Sequence, residues 1–296
     1  MKITFLTAEE ARDYFSKPDE YAKKLSAVDL NIMVPENPTL EAYQEVLLSS
    51  FEDFSDSSKE NLEQDAKLLD FLDFEIKLVK TTGRSHRLDM PQTRRDAIFT
   101  GGYSLSTVVF VHEVFHVISR KHPTLTDALS KLWGFERIDN QIVEAPVLLN
   151  PDAPNLNYSM KITSGGKKSS KTMEVVPFLD GTTSGLVTKL KVLGPNPERI
   201  LSPDRTDYPS KIPNTRYFSH PEEICAEHFS LVLAGNCIFE KSPLDLPALD
   251  RFKSTLETKL KDLGLVNPST QIPFFSNYSD YQLGNFHQKP RKKRKS

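Results

Sequence analysis

The sequence predicts an α+β fold, and three observations carry that expectation. The first seventy residues hold helix-capping pairs followed by apolar positions at helical spacing. Two stretches, 74–80 and 160–193, contain β-rich runs bounded by turn residues. Two further segments about a hundred residues apart, 104–121 and 217–236, carry histidines and glutamates at helical spacing on largely apolar helices. These patterns organise the chain into an N-terminal helical region over 1–72, a larger domain over 73–275 with an inserted β-hairpin or three-stranded unit, and a disordered basic tail over 276–296.

Composition narrows the class. The 296 residues are 38% hydrophobic and 26% charged, as in an ordinary soluble globular protein. No apolar stretch approaches the roughly 20 residues that span a bilayer. The N-terminus reaches Glu9 and Glu10 after too short an apolar run for a secretory signal. The two cysteines, Cys225 and Cys237, are too few for a disulfide framework and read as reduced thiols of a cytoplasmic-type compartment. The net charge of −2 conceals a basic end. Lys289, Arg291, Lys292, Lys293, Arg294 and Lys295 form a run that resembles a nuclear-import signal, or a patch for an acidic partner, with a solubilising terminus as the alternative.

In chain order, Thr7 with Glu10 makes a capping box for a helix towards Leu25, interrupted near Pro18. Thr39 opens a second helix to about Phe54, and a third runs from Ser58 to about Leu72. Their many carboxylates read as solvated faces. Phe74 to Lys80 alternates as a strand. The basic loop from Arg84 to Arg95, with His86, Arg87, Arg94 and Arg95, reads as a solvent loop or as a substrate or phosphate contact. Ala97 to Gly102 reads as a short strand feeding the next helix, and Gly101 and Gly102 would admit another backbone at close range. After His122-Pro123 a helical pattern covers 124–145. Met160–Thr163 and Thr172–Phe178 form a hairpin, with 185–193 as a third strand.

Between Leu105 and Ile118 the exceptions to apolar character are Ser106, Thr107, His112, Glu113 and His116. Burying ionisable groups needs compensation. On a helix His112 and His116 lie on one face about 6 Å apart along the axis, so both can bind one ion. A strand would separate them by roughly 13 Å, so the metal reading selects the helix. His-Glu-x-x-His on a helix is a zinc-hydrolase pattern, two ligands and a carboxylate general base.

Ser219 with Glu222 reads as a capping box and Pro221 as a first-turn residue, so a second helix starts here and stops at Gly235-Asn236. Glu223, Glu227, Ser230 and Ala234 share a narrow face suited to close packing across another helix. Only one of Glu223 and Glu227, one turn apart, can readily complete a metal site, and the other can hydrogen-bond a ligating histidine. Glu222 is accounted for by the cap.

His112-Glu-Val-Phe-His116 followed by Glu223-Ile-Cys-Ala-Glu227-His-Phe229 resembles the gluzincin branch of zinc metallopeptidases, and in particular the anthrax lethal factor-like metallopeptidase domain. The resemblance covers two short motifs, and Tyr217 stands one residue closer to the second motif than that family's tyrosine. It implies a zincin-like domain with one Zn²⁺ per chain, held by His112, His116 and Glu223, with Glu227 supporting a histidine. Glu113 would be the general base, and Tyr217 or His220 would stabilise the oxyanion or merely support the helix start. The expected activity is zinc-dependent peptide hydrolysis on a protein or peptide substrate. Two alternatives stay open: a zinc hydrolase of non-peptide substrates, and a non-catalytic interaction protein on the same fold.

Overall fold

The computed structural model describes residues 1–83, 88–102, 105–138, 147–154, 158–164, 171–182, 187–193, 199–241 and 243–278. The basic tail from Lys289 to Lys295, and Arg84, His86 and Arg87 of the basic loop, lie outside them.

The fold is α+β, with two sheets. The chain starts with a strand the sequence reading did not assign, β1 (Lys2–Phe5), which pairs in parallel with β3 (Glu75–Thr81). Between them come α1 (Ala8–Tyr14), α2 (Ala27–Met33), α3 (Leu40–Ser49), β2 (Phe51–Glu52) and α4 (Asp56–Ala66). The Thr7/Glu10 capping box forms, Glu10 accepting from Thr7 N–H at 2.8 Å, but α1 ends seven residues after it begins. A second box, Ser26 with Asp29, starts α2, and Thr39 caps α3.

The last part of the stretch expected as a basic loop is a strand rather than solvent loop. β4 (Gln92–Arg94) turns through Arg95 and Asp96 and pairs antiparallel with β5 (Ala97–Phe99). The first sheet therefore runs β1-β3-β5-β4, with β2 on the far end of β3, so β4 forms one edge and β5 is interior. Gly102 does admit a close backbone, but it is the chain's own Gly83. Side chains alternate across the sheet. Val79, Ala97 and Phe99 pack into a core with Phe15, Tyr43, Leu47 and Phe51, beneath the N-terminal helices. Ile76, Leu78 and Ile98 face the opposite core, which is shared with α5 (Thr107–Lys121).

α5 forms despite its β-branched run because burial outweighs propensity: Phe110 to Ser119 are all buried, and the Ser106 hydroxyl caps the start by accepting from Val109 N–H at 3.3 Å. His122-Pro123 ends it and begins α6 (Pro123–Ser130). The helix expected over 124–145 is cut short. A single 3₁₀ turn over 131–133 reaches Gly134 at φ 85°, a left-handed stop, and β6 (Phe135–Arg137) follows.

Among the described residues the inserted unit holds five strands where three were expected: β6, β7 (Tyr158–Ser164), β8 (Lys171–Leu179), β9 (Thr188–Val192) and β10 (Ile200–Leu201), antiparallel throughout in the order β10-β9-β8-β7-β6. A short α7 (Tyr208–Lys211) leads to α8 (Pro221–Ala234). Last comes α9 (Leu246–Asp262), which buries Leu249, Phe252, Leu256 and Leu260 as one helical stripe. Among the described residues no helix is long and apolar enough to cross a membrane.

Candidate metal centre

Two helices build the site. α8 packs antiparallel to α5, with the Ser230 hydroxyl donating to Val108 O at 3.1 Å near one end and Glu222 beside Ser119 and His116 near the other. The small Ser230 allows the close approach its face suggested. The helix start is displaced by one residue from the expected Ser219/Glu222 box: His220 is the N-cap, its Nδ1 accepting from Glu222 N–H at 3.1 Å. The Glu222 carboxylate is thereby released for another contact.

Between the helices, His112 Nε2, His116 Nε2 and Glu223 Oε2 converge. Their separations are 3.1 Å between the two nitrogens, 3.0 Å from His112 to Glu223 and 3.4 Å from His116 to Glu223. All three side chains are at most 5% exposed. A tetrahedral ion with bonds of roughly 2.0 to 2.1 Å sets its ligand atoms about 3.3 Å apart, so the three donors stand close to zinc spacing. The outer faces of the rings fit the same reading. His112 Nδ1 is 3.3 Å from Glu227 Oε1 and His116 Nδ1 is 3.6 Å from Glu222 Oε1. Neither Nδ1 has an aligned hydrogen-bond partner, yet each faces a carboxylate that favours the proton on Nδ1 and the lone pair on Nε2. Three electron-pair donors thus point at one buried spot, and a cation or protons must occupy it. The residues present fit a zinc ion.

Electrostatics in the protein alone point the same way. Burial opposes charge on His112, but the carboxylates of Glu223 and Glu227 beside its two ring nitrogens outweigh it and lift the imidazole to about 9. Burial likewise opposes charge on His116, yet Glu223 and Glu222 hold it well above its ordinary value. Glu223 is held well below the usual carboxylate range, burial being overcome by the two histidines. The cluster attracts positive charge strongly.

Glu113 follows His112 on α5 and is buried, with the Thr93 hydroxyl of β4 donating to its Oε2 at 2.9 Å. Glu227 sits beneath His112, where it also accepts from Ile238 N–H and Phe239 N–H at 3.2 and 2.8 Å. Tyr217 is half-buried, stacks on Phe239 with ring centroids 5.0 Å apart, and lines a narrow pocket with Gln92, Asn150 and Asp152. Burial, then the nearby Glu223, pushes its phenol well above the ordinary value. Of the expected residues, His220 serves as the cap.

Four residues were missed. Glu222 faces His116 as described. Thr93 lies in the stretch taken for a loop. Asn150 donates from Nδ2 to Glu223 Oε1, and Asp152 accepts from Thr93 N–H. Burial, then the Glu113 charge, pushes Asp152 well above the carboxylate range. Asn150 and Asp152 belong to a segment stapled over the site: Leu149 N–H donates to Asp29 at 2.9 Å, and Arg120 donates to Pro151 O and Asp152 O at 3.0 and 3.1 Å. Nothing local in the Pro- and Asn-rich sequence signals these partners, which lie up to 120 residues away. Compared with protein-family models, curated proteins and solved structures, the chain matches none.

Proposed function

We propose that the chain is a zinc-dependent peptidase of the zincin-like, gluzincin type. The observation that carries the reading is the convergence of His112, His116 and Glu223 at 3.0 to 3.4 Å from one another, beside Glu113 on the same helix. His112 and His116 would hold zinc through Nε2 and Glu223 through Oε2, with Glu227 and Glu222 fixing the ring tautomers. Bound there, zinc supplies Lewis acidity and lowers the pKa of water at an open position.

The protein's own groups then divide the proton work. Glu113, held by Thr93, takes the proton from the attacking water and delivers it to the leaving amine. Asn150 keeps Glu223 Oε1 engaged, which leaves Oε2 turned to the histidines. Tyr217 lines the pocket, and its strongly raised pKa keeps it protonated as a hydrogen-bond donor to a developing oxyanion. Edge strand β4 supports a peptide as substrate: Thr93 N–H points away from β5 and would pair with an added strand once Asp152 releases it. The segment 149–152 must therefore shift for a peptide to enter.

The test is metal analysis of purified protein with a peptide-library assay. Glu113→Gln should fold and retain about one zinc per chain but lose hydrolysis, since the amide cannot accept the proton. His112→Ala, His116→Ala and Glu223→Ala should lose tight zinc binding. A Glu113→Gln variant within tenfold of wild-type activity excludes the mechanism.

A further inference from the structure

Behind His116, on the side of the ring away from Nε2, lies a second cavity of about 460 Å³. It is enclosed by residues 18–24, the turn between β4 and β5, the C-terminal end of α5 and residues 151–154. Pro18, Pro123, Pro151 and Pro154 give it stiff walls, and Glu222 separates it from His116.

Its charge is one-sided. Lys23, Lys24, Arg94, Arg95, Arg120 and Arg137 line it against the carboxylates Asp19, Glu20 and Glu222. Arg94 and Arg137 are matched, Arg94 binding Asp19 through Nε at 2.7 Å and through Nη2 and Arg137 meeting Asp127 at 2.8 Å, whereas the Lys23 pair with Glu20 at 2.8 Å is exposed and leaves the ammonium free to turn to another anion. Arg95 and Arg120 differ. Arg95 donates to Tyr14 O and Lys17 O, at 2.6 and 3.1 Å, and its guanidinium lies over the Tyr14 and Phe15 rings. Arg120 donates to the carbonyls of Thr93, Arg95, Pro151 and Asp152, at 3.0 to 3.2 Å. Carbonyl oxygens fix a guanidinium without neutralising it, and among the described residues neither arginine has a carboxylate within ion-pair distance.

A second observation is independent of charge. Arg95 holds φ 55°, the left-handed region, in the two-residue turn between β4 and β5. Glycine or asparagine takes that conformation with less strain, so a long cationic side chain there is not what the turn itself selects. Backbone strain of this kind accompanies functional positions. Guanidinium groups match phosphate oxygens in planar, charge-assisted pairs, and the volume exceeds what a single phosphate fills.

We propose that this cavity binds a small molecule carrying a diphosphate group, with Arg95 as its principal contact and Lys23 and Arg120 supplying the surrounding positive potential. The test is isothermal titration of the zinc-loaded full chain with inorganic pyrophosphate and, separately, ADP, both without magnesium. Saturable one-to-one binding of either probe is expected, and which probe binds more tightly tells a free anion from a nucleotide. Arg95→Gly, which relieves the turn while deleting the guanidinium, should weaken binding at least tenfold. Lys23→Ala, on an exposed side chain, should weaken it about threefold, and it tests the site if Arg95→Gly fails to fold. His112→Ala should leave binding intact. Absence of binding to both probes at millimolar concentration overturns the proposal. So does binding unchanged in the foldable cavity variants, or binding lost in His112→Ala, which would place the anion on the metal.

Discussion

Glu222→Ala and Glu227→Ala separate two functions of the carboxylates that face the histidines. Each carboxylate faces the Nδ1 of one histidine, at 3.6 and 3.3 Å, so removing either should weaken zinc binding by roughly 10- to 100-fold, about 1.4 to 2.7 kcal/mol. Their effects on the fold should diverge. Without Glu227, whose carboxylate is itself buried, the N–H groups of the half-exposed Ile238 and Phe239 lose their acceptor. At about 0.5 to 1.5 kcal/mol for each hydrogen bond lost, that variant should lose roughly 1 to 3 kcal/mol of stability even without metal. Glu222 leaves no such orphan: Ser119, its hydroxyl partner, also donates to His116 O at 3.1 Å and keeps that bond. The assays are zinc competition against a chromogenic chelator and urea unfolding of metal-free protein. Zinc affinity within twofold of wild type in Glu222→Ala would refute its positioning role, and equal stability losses in the two variants would refute the accounting of Glu227's partners.

Three further outcomes are expected. Burial holds His228 down to about 4, its ring lying between Trp133 and Phe252 with Nδ1 bonded to Ile224 O at 2.7 Å. Against an unfolded value near 6.5, its contribution is present above that pH and falls by up to about 3 kcal/mol towards pH 4; urea curves for His228→Leu that parallel wild type over that interval contradict this. Arg94→Leu, leaving Asp19 buried without its partner, should cost about 3 to 5 kcal/mol in the same assay, and a loss below 1 kcal/mol would mean the pair contributes little. Asp152→Ala removes one hydrogen bond closing the segment over the site, about 1 kcal/mol, so a chelator should strip zinc roughly five times faster; an unchanged rate would show that this anchor does not limit access.

The readable features were those whose chemistry is local. Capping boxes announce themselves within four residues, so Thr7 with Glu10 was visible, as was the one-turn spacing of His112 and His116 and of Glu223 and Glu227. The hairpin of β7 and β8 was visible because each strand is long and the turn polar. What escaped depends on distant chain. β1 is four residues long and becomes a strand only because β3, more than seventy positions away, offers a parallel edge. β4 is three residues in a basic stretch, and Arg94 is buried there because Asp19 and Tyr43 receive it. The helix expected over 124–145 ignored a signal that was present, since Gly134 can adopt the left-handed stop that other residues resist. Glu222 shows a subtler failure. A Ser-x-x-Glu pattern that satisfies the capping rule was assigned to the helix start, but His220 supplies the cap one residue later, and that shift turns a glutamate from helix end to histidine partner. Local rules thus located the donors, while the groups that orient and cover them, Glu222, Asn150, Asp152 and Thr93, come from contacts that only the folded chain creates.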